Sequence, residues 1–372
     1  MAILPITMPK WGLAMQEGTL VKWAVEEGAL LKNSQEIADI ETTKIANIFE
    51  SPVAGVLRKK VAQDGDVLPV GALLGVVAEA STPEADIDAY VAEFQANFKV
   101  EDEAAAAAPE PEFADVAGKR IRYLKLGPDG GTPVVMIHGF GADLSSFMFN
   151  HAALAEERPV YAIDLPGHGG SSKDVSGGSL ERLTADVLAL LQVLGIARVH
   201  LVGHSLGGAI ATRIALDRPE RIESLTLLAP AGFGPEISQV FIDGFIAESR
   251  ARKLKSVLEM LVADADLVST SMVDDVVKFK RIDGALDALR QIAGHLAVGG
   301  VQSSLLRDRL AELTMPVAVI WGDKDQVLPA THAEDLPGKI SVTRLPGAGH
   351  LPHMEKSGEV NAILKRQAGK TV

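Results

Sequence analysis

The stretch Val199-His200-Leu201-Val202-Gly203-His204-Ser205-Leu206-Gly207-Gly208-Ala209-Ile210-Ala211 reads as an apolar strand, a tight turn and a helix of small residues. Glycine stands two residues before and two after Ser205. A side chain on either flank of so sharp a turn would collide with its surroundings, and glycine has none. The turn lifts the Ser205 hydroxyl clear of the sheet edge and leaves the Leu206 N–H at a helix start, where developing negative charge is stabilised. Ser205 is therefore a candidate nucleophile for acyl chemistry. A Gly-x-Ser-x-Gly string arises easily by chance in a chain of 372 residues with 35 glycines, so its partners decide the reading.

Upstream, the apolar run Pro133–Ile137 enters His138-Gly139-Phe140-Gly141, a loop able to offer the Phe140 N–H as a second donor to an oxyanion. Downstream, Val317–Trp321 reads as a buried strand followed by Gly322-Asp323-Lys324-Asp325, and Ser341–Leu345 leads into Pro346-Gly347-Ala348-Gly349-His350. Serine, aspartate and histidine follow in that order, each just beyond a strand, where open α/β sheets build their sites. By position alone, Asp323 and Asp325 compete for the acid.

From about Glu112 onward the chain resembles the α/β-hydrolase fold family, on the motifs just quoted. The resemblance implies Ser205 as nucleophile, His350 as general base and then acid, and Asp325, the later aspartate, as the group orienting the imidazole. It also implies an oxyanion hole of the Phe140 and Leu206 amides. Asp164-Leu165-Pro166-Gly167-His168 resembles the family's turn beside the oxyanion loop. His138 reads as a residue shaping that loop, and His168, His204, His332 and His353 as structural or solvated. Between Gly232 and Leu313 strands give way to apolar residues at helical spacing, which resembles the lid over many sites of this fold. Arg250, Arg252, Lys253 and Lys255 in that segment read as a solvated helix face, with contact to an anionic substrate such as coenzyme A as the alternative.

The first eighty residues carry a gapless internal repeat at an offset of 37: Gly18 falls on Gly55, Gly28 on Gly65, Leu30-Leu31 on Val67-Leu68, and Ile37–Ile40 on Leu74–Val77. Alternating apolar positions and paired turn glycines predict two sets of short strands closing face to face. Lys44, in Glu41-Thr42-Thr43-Lys44-Ile45, falls at the junction of the halves. With Met8-Pro9-Lys10 ahead and Ser51–Leu57 behind, this string resembles the lipoyl domains of 2-oxo acid and acetoin dehydrogenase complexes. The resemblance implies lipoate bound covalently to Lys44. Biotinyl domains share the architecture but set their lysine between methionines, which this chain lacks.

The expected architecture is thus an N-terminal all-β lipoyl sandwich or flattened barrel, residues 1–80, and a C-terminal α/β-hydrolase fold with a helical cap, residues 113–372, the cap at about 232–313. Between them, 81–112 reads as a short isolated helix followed by an Ala/Pro/Glu tract too poor in apolar bulk to pack. A net charge of −13 opposes nucleic-acid binding. With no long apolar run and no basic-then-apolar start, neither a membrane span nor a signal peptide is expected. The absence of cysteine excludes disulfides and a protein-thiol acyl carrier. No metal-ligand spacing occurs, and a cytoplasmic location is expected.

Together the halves resemble the acyltransferase components of acetoin dehydrogenase complexes. That resemblance implies an oligomeric assembly with a thiamine-diphosphate-dependent acetoin-cleaving dehydrogenase and dihydrolipoamide dehydrogenase, with coenzyme A taking the acetyl group. The chain departs from ordinary acyltransferase components, because it lacks their His-x-x-x-Asp-Gly signature and any recognisable partner-binding module between 81 and 112. Two other readings are a tethered thioesterase that releases acetate, and a lipoyl carrier with a non-catalytic hydrolase-like scaffold.

Overall fold

The structure, a computed structural model, describes residues 3–11, 15–33, 35–42, 46–98 and 109–369. It divides into two compact units, Met1–Ala108 and Pro109–Val372.

In the first unit the strands are β1 (Leu4–Thr7), β2 (Glu17–Trp23), β3 (Leu30–Leu31), β4 (Glu36–Glu41), β5 (Ala46–Glu50), β6 (Gly55–Lys60), β7 (Val67–Pro69) and β8 (Leu73–Ala78). They pair antiparallel in two sheets ordered β1-β8-β6-β3 and β5-β4-β2-β7. The repeat explains this layout. β2, β3 and β4 correspond to β6, β7 and β8, and each sheet takes strands from both halves. Alternation turns Ile6, Leu20, Leu31, Ile37, Ile40, Leu57, Leu74 and Val77 into a shared core. Trp23 closes it, its indole N–H donating to the Ala62 carbonyl.

The helix expected to stand alone does not. α1 (Glu84–Asn97) lays Ile87, Tyr90, Val91 and Phe94 against Leu73, Val76 and Ala78 of β8. The physical reason lies in β8 itself, Leu73-Leu74-Gly75-Val76-Val77-Ala78, which is apolar on both faces and must be covered on both. The Arg58 guanidinium donates to the carbonyls of Glu79, Ala80 and Thr82, tying down the chain that leads into α1. Residues 99–108, which hold most of the Ala/Pro/Glu tract, lie outside the described residues.

The second unit opens with β9 (Glu112–Val116) and continues through β10 (Lys119–Leu126), β11 (Val134–Ile137), α2 (Met148–Leu154), β12 (Val160–Ile163), α3 (Leu180–Val193), β13 (Val199–His204), α4 (Leu206–Asp217) and β14 (Ile222–Leu228). α5 (Gln239–Ala247), α6 (Ala251–Leu258), α7 (Thr270–Lys280) and α8 (Ala285–Leu296) then form the cap, with a two-strand hairpin, β15 (Ala297–Val298) and β16 (Val301–Gln302), that interrupts the expected all-helical insertion. β17 (Val317–Gly322), β18 (Ile340–Leu345), α9 (Pro352–Glu355) and α10 (Ser357–Gln367) complete the unit.

Its sheet runs β18-β17-β14-β13-β11-β12-β10-β9, parallel from β18 to β12 and antiparallel at the β10 and β9 edge. Successive residues of the inner strands serve opposite layers: Val135 and Ile137 pack with α3 and α4, Val134 and Met136 with α2 and α10. That double coverage is why these strands read as unbroken apolar runs. One charged pair is buried with them, Lys119 of β10 and Asp186 of α3 at 2.7 Å, with side chains 4% and 5% exposed. Lys119→Met should strand the carboxylate and cost about 3–5 kcal/mol, whereas Lys119→Met with Asp186→Leu should recover most of the loss. Denaturant midpoints of the two variants test this.

Candidate active site

Ser205 sits where β13, an inner strand of the parallel sheet, passes into α4. Its backbone is held at φ 52° and ψ −116°, a conformation that costs a non-glycine residue of order 1–3 kcal/mol. Neighbouring hydrogen bonds hold it there: the Ser205 N–H donates to Leu228, and its carbonyl accepts from Ala209 and Ala231. A Cβ on Gly203 would lie 2.4 Å from the Gly207 carbonyl oxygen, and one on Gly207 would lie 2.1 Å from that of Ile137. The two flanking glycines are thus required by close backbone approach.

At the neighbouring strand ends, His350 Nδ1 lies 2.7 Å from Asp325 Oδ2, and both side chains are buried. The same carboxylate oxygen accepts from the Trp321 indole N–H at 3.0 Å, and Oδ1 accepts from the Val327 and Leu328 amides. Asp325 is thereby locked with one oxygen toward the imidazole. Asp323 is engaged elsewhere, accepting from the Gly347 N–H. Among the described residues the Ser205 hydroxyl makes no hydrogen bond to His350; such contacts commonly tighten only when substrate is bound. Ser205 is 8% exposed and His350 2%.

The Phe140 and Leu206 N–H groups have no acceptor among the described residues. The loop that carries Phe140 is shaped by His138, whose Nε2 accepts from the Leu165 N–H while Nδ1 faces the Gly139 carbonyl at 2.7 Å. That pattern assigns the proton to Nδ1. Burial holds His138 below the ordinary histidine range, so the neutral ring persists. Asp164, beyond β12, accepts from the Leu144 and Gly170 amides and pairs with Arg122.

Three histidines crowd the site, with His204 ring-to-ring 4.8 Å from His350 and 4.7 Å from His353. His204 Nε2 donates to the His350 carbonyl at 2.8 Å and so fixes the backbone of that loop. Ser146 and His353 form a second serine–histidine contact, at 3.0 Å. It lacks an acid, because His353 Nδ1 has no partner among the described residues, and burial pushes the His353 pKa down to about 3. A ring that weakly basic is a poor proton acceptor at neutral pH.

The cap is fastened to this loop. The Leu261 carbonyl, just past α6, accepts from the His350 and Leu351 N–H groups at 2.8 and 3.1 Å. Glu355 is buried and bridges cap and loop, accepting from Ala263 N–H with one oxygen and Gly349 N–H with the other. Burial raises its pKa, and those amide bonds pull it back. From α5, Phe245 packs edge-on against Phe140, ring centroids 5.8 Å apart. The sequence reading missed Trp321, Leu261, Phe245 and Glu355. The indole four residues before Asp325 and the carboxylate five after His350 were the available signals.

Lys44, the expected attachment point, lies outside the described residues. Its described flanks are β4 and β5, paired antiparallel with Glu41 opposite Ala46, so the lysine falls in the connection between two pinned strand ends.

The α/β hydrolase fold family model matches residues 132–357, and that of the biotin-requiring enzymes matches residues 4–77. A meta-cleavage product hydrolase from Pseudomonas fluorescens is similar in fold, with TM-score 0.63 at 19% identity over 69% of this chain and 96% of that one. Two relatives match across both units. One, from Cupriavidus necator, is 46% identical over 99% of this chain and 98% of its own length; the other, from Pseudomonas putida, is 46% identical over 96% of each. Both are called the dihydrolipoyllysine-residue acetyltransferase component of the acetoin cleaving system. A likeness at that level, over both units and nearly end to end, means that the chain belongs to the family of dihydrolipoyllysine-residue acetyltransferase components of acetoin cleaving systems.

Proposed function

We propose that this protein moves an acetyl group from a lipoyl thioester to coenzyme A through an ester on Ser205. The observation that carries the reading is the His350–Asp325 pair buried beside the strained turn at Ser205, on a chain that also holds a lipoyl-type unit. Attached to Lys44, the lipoyl group would supply a thiol that carries acetyl as a thioester.

Ser205 Oγ attacks the thioester carbonyl while His350 Nε2 takes its proton, and Asp325 holds Nδ1–H in place. The Phe140 and Leu206 amides receive the oxyanion, each worth roughly 10²–10³ in rate. The carbon–sulfur bond breaks, His350 returns the proton to the departing sulfur, and acetyl remains on Ser205. The coenzyme A thiol then gives its proton to His350 and attacks the ester. The carbon–oxygen bond breaks and Ser205 regains its hydrogen.

The acetyl group is supplied by a thiamine-diphosphate-dependent enzyme that cleaves acetoin, and dihydrolipoamide dehydrogenase reoxidises the dithiol. Purified protein given acetyl-dihydrolipoamide should yield acetyl-CoA only when coenzyme A is present. Free acetate at the same rate with or without coenzyme A would make the protein a thioesterase and end this reading.

A further inference from the structure

Helix α6 carries a cluster of cations that its own energetics do not explain. Four of the six residues from Arg250 to Lys255 are basic, in a chain of net charge −13. Leu254 and Leu258 are buried, whereas Arg252 and Lys255, three residues apart, are exposed. Like charges three residues apart disfavour a helix, and so do cations in its first turn, where the helix dipole prefers acids. No acidic residue occupies that turn. Lys253 approaches Glu248 at 3.9 Å, whereas Arg250, Arg252 and Lys255 have no ion-pair partner among the described residues. A local choice that opposes local stability marks a site answering to something outside the fold.

Its position says to what. The chain leaving α6 fixes the Leu261 carbonyl on the His350 and Leu351 amides, so one end of this segment lies on the loop of the proposed base. Along α6, at about 1.5 Å per residue, Lys255 stands roughly 4.5 Å and Arg252 roughly 9 Å before Leu258, with their side chains out in solvent. Coenzyme A has the matching shape. Its thiol ends a long uncharged pantetheine arm, and its diphosphate and ribose phosphate stand at the other end. An acceptor thiol reaching a site where Ser205 is 8% exposed must leave those phosphates at the surface.

We propose that Arg250, Arg252 and Lys255 hold the phosphate groups of coenzyme A while its thiol reaches Ser205. This rests on the acyl-transfer reading of the site. The test compares coenzyme A with pantetheine, which has the same thiol arm and no phosphates, as acceptors from acetyl-dihydrolipoamide. In the full-length protein, Arg252→Gln with Lys255→Gln should raise KM for coenzyme A at least tenfold, with kcat within twofold and KM for pantetheine unchanged. Calorimetric binding of coenzyme A, without acyl donor, should weaken by the same factor and fall with added salt. An unchanged KM for coenzyme A, or an equal rise for both acceptors, overturns the proposal. Binding of coenzyme A by calorimetry with no acetyl transfer to either acceptor would instead overturn the reading of Ser205 and leave the phosphate site standing.

Discussion

Ser205→Ala is expected to abolish acetyl-CoA formation, by roughly 10⁶-fold if the serine, histidine and aspartate act as a unit. The substitution removes one oxygen atom from a turn whose shape is set by the Ser205 N–H donating to Leu228, by its carbonyl accepting from Ala209 and Ala231, and by the glycines on either side. The fold should therefore survive, with denaturant midpoints shifted by no more than about 1 kcal/mol. Wild-type protein mixed with an acetyl thioester and quenched before coenzyme A is added should carry acetyl on the peptide containing Ser205; the variant should carry none. Acetyl-CoA formed by the variant at an undiminished rate would assign the chemistry to another group and leave the second unit as a scaffold.

The other large effect is expected at Lys44. Lys44→Arg keeps the positive charge and removes the amine that can form an amide, so it should eliminate transfer that begins with acetoin and its cleaving enzyme. Transfer from free acetyl-dihydrolipoamide should stay within twofold of wild type, because Ser205, His350 and Asp325 are untouched. The contrast isolates what attachment contributes: a tethered arm meets its target at an effective concentration on the order of millimolar, independent of dilution. Intact mass of the protein from its native host should show the lipoyl increment in wild type and not in the variant. A variant that still turns over acetoin at the normal rate would remove Lys44 from the pathway.

The parts of the site that sequence disclosed are those governed by short-range sterics and fixed order. Gly203 and Gly207 are legible because two backbones come too close for any side chain, and that demand is written within five residues. Asp325 and His350 follow strands whose double-sided burial makes them apolar runs. The repeat at an offset of 37 gave the lipoyl unit for a similar reason, since each half must bury its alternate residues against the other.

What sequence did not disclose acts across long separations through the backbone. The Glu355 carboxylate meets an amide 92 residues away, and the Leu261 carbonyl reaches His350 without its side chain taking part, so no residue type announces either contact. Position alone left Asp323 and Asp325 open and the resemblance favoured Asp325; in the structure it is Asp325 that faces His350 Nδ1, while Asp323 accepts from the Gly347 N–H. The packing of α1 on β8 is signalled by the unbroken apolar run Leu73–Ala78, which needs cover on both faces.

The Leu261 carbonyl joins two properties that a designer would prefer to vary separately. A cap over Ser205 would set which acyl chains enter, yet the segment just past α6 also fixes the main chain of the imidazole. Widening that cap for longer acyl groups should therefore slow turnover of the original donor as well as broaden the range, and variants that recover speed should carry compensating changes near 261–263 or 349–355.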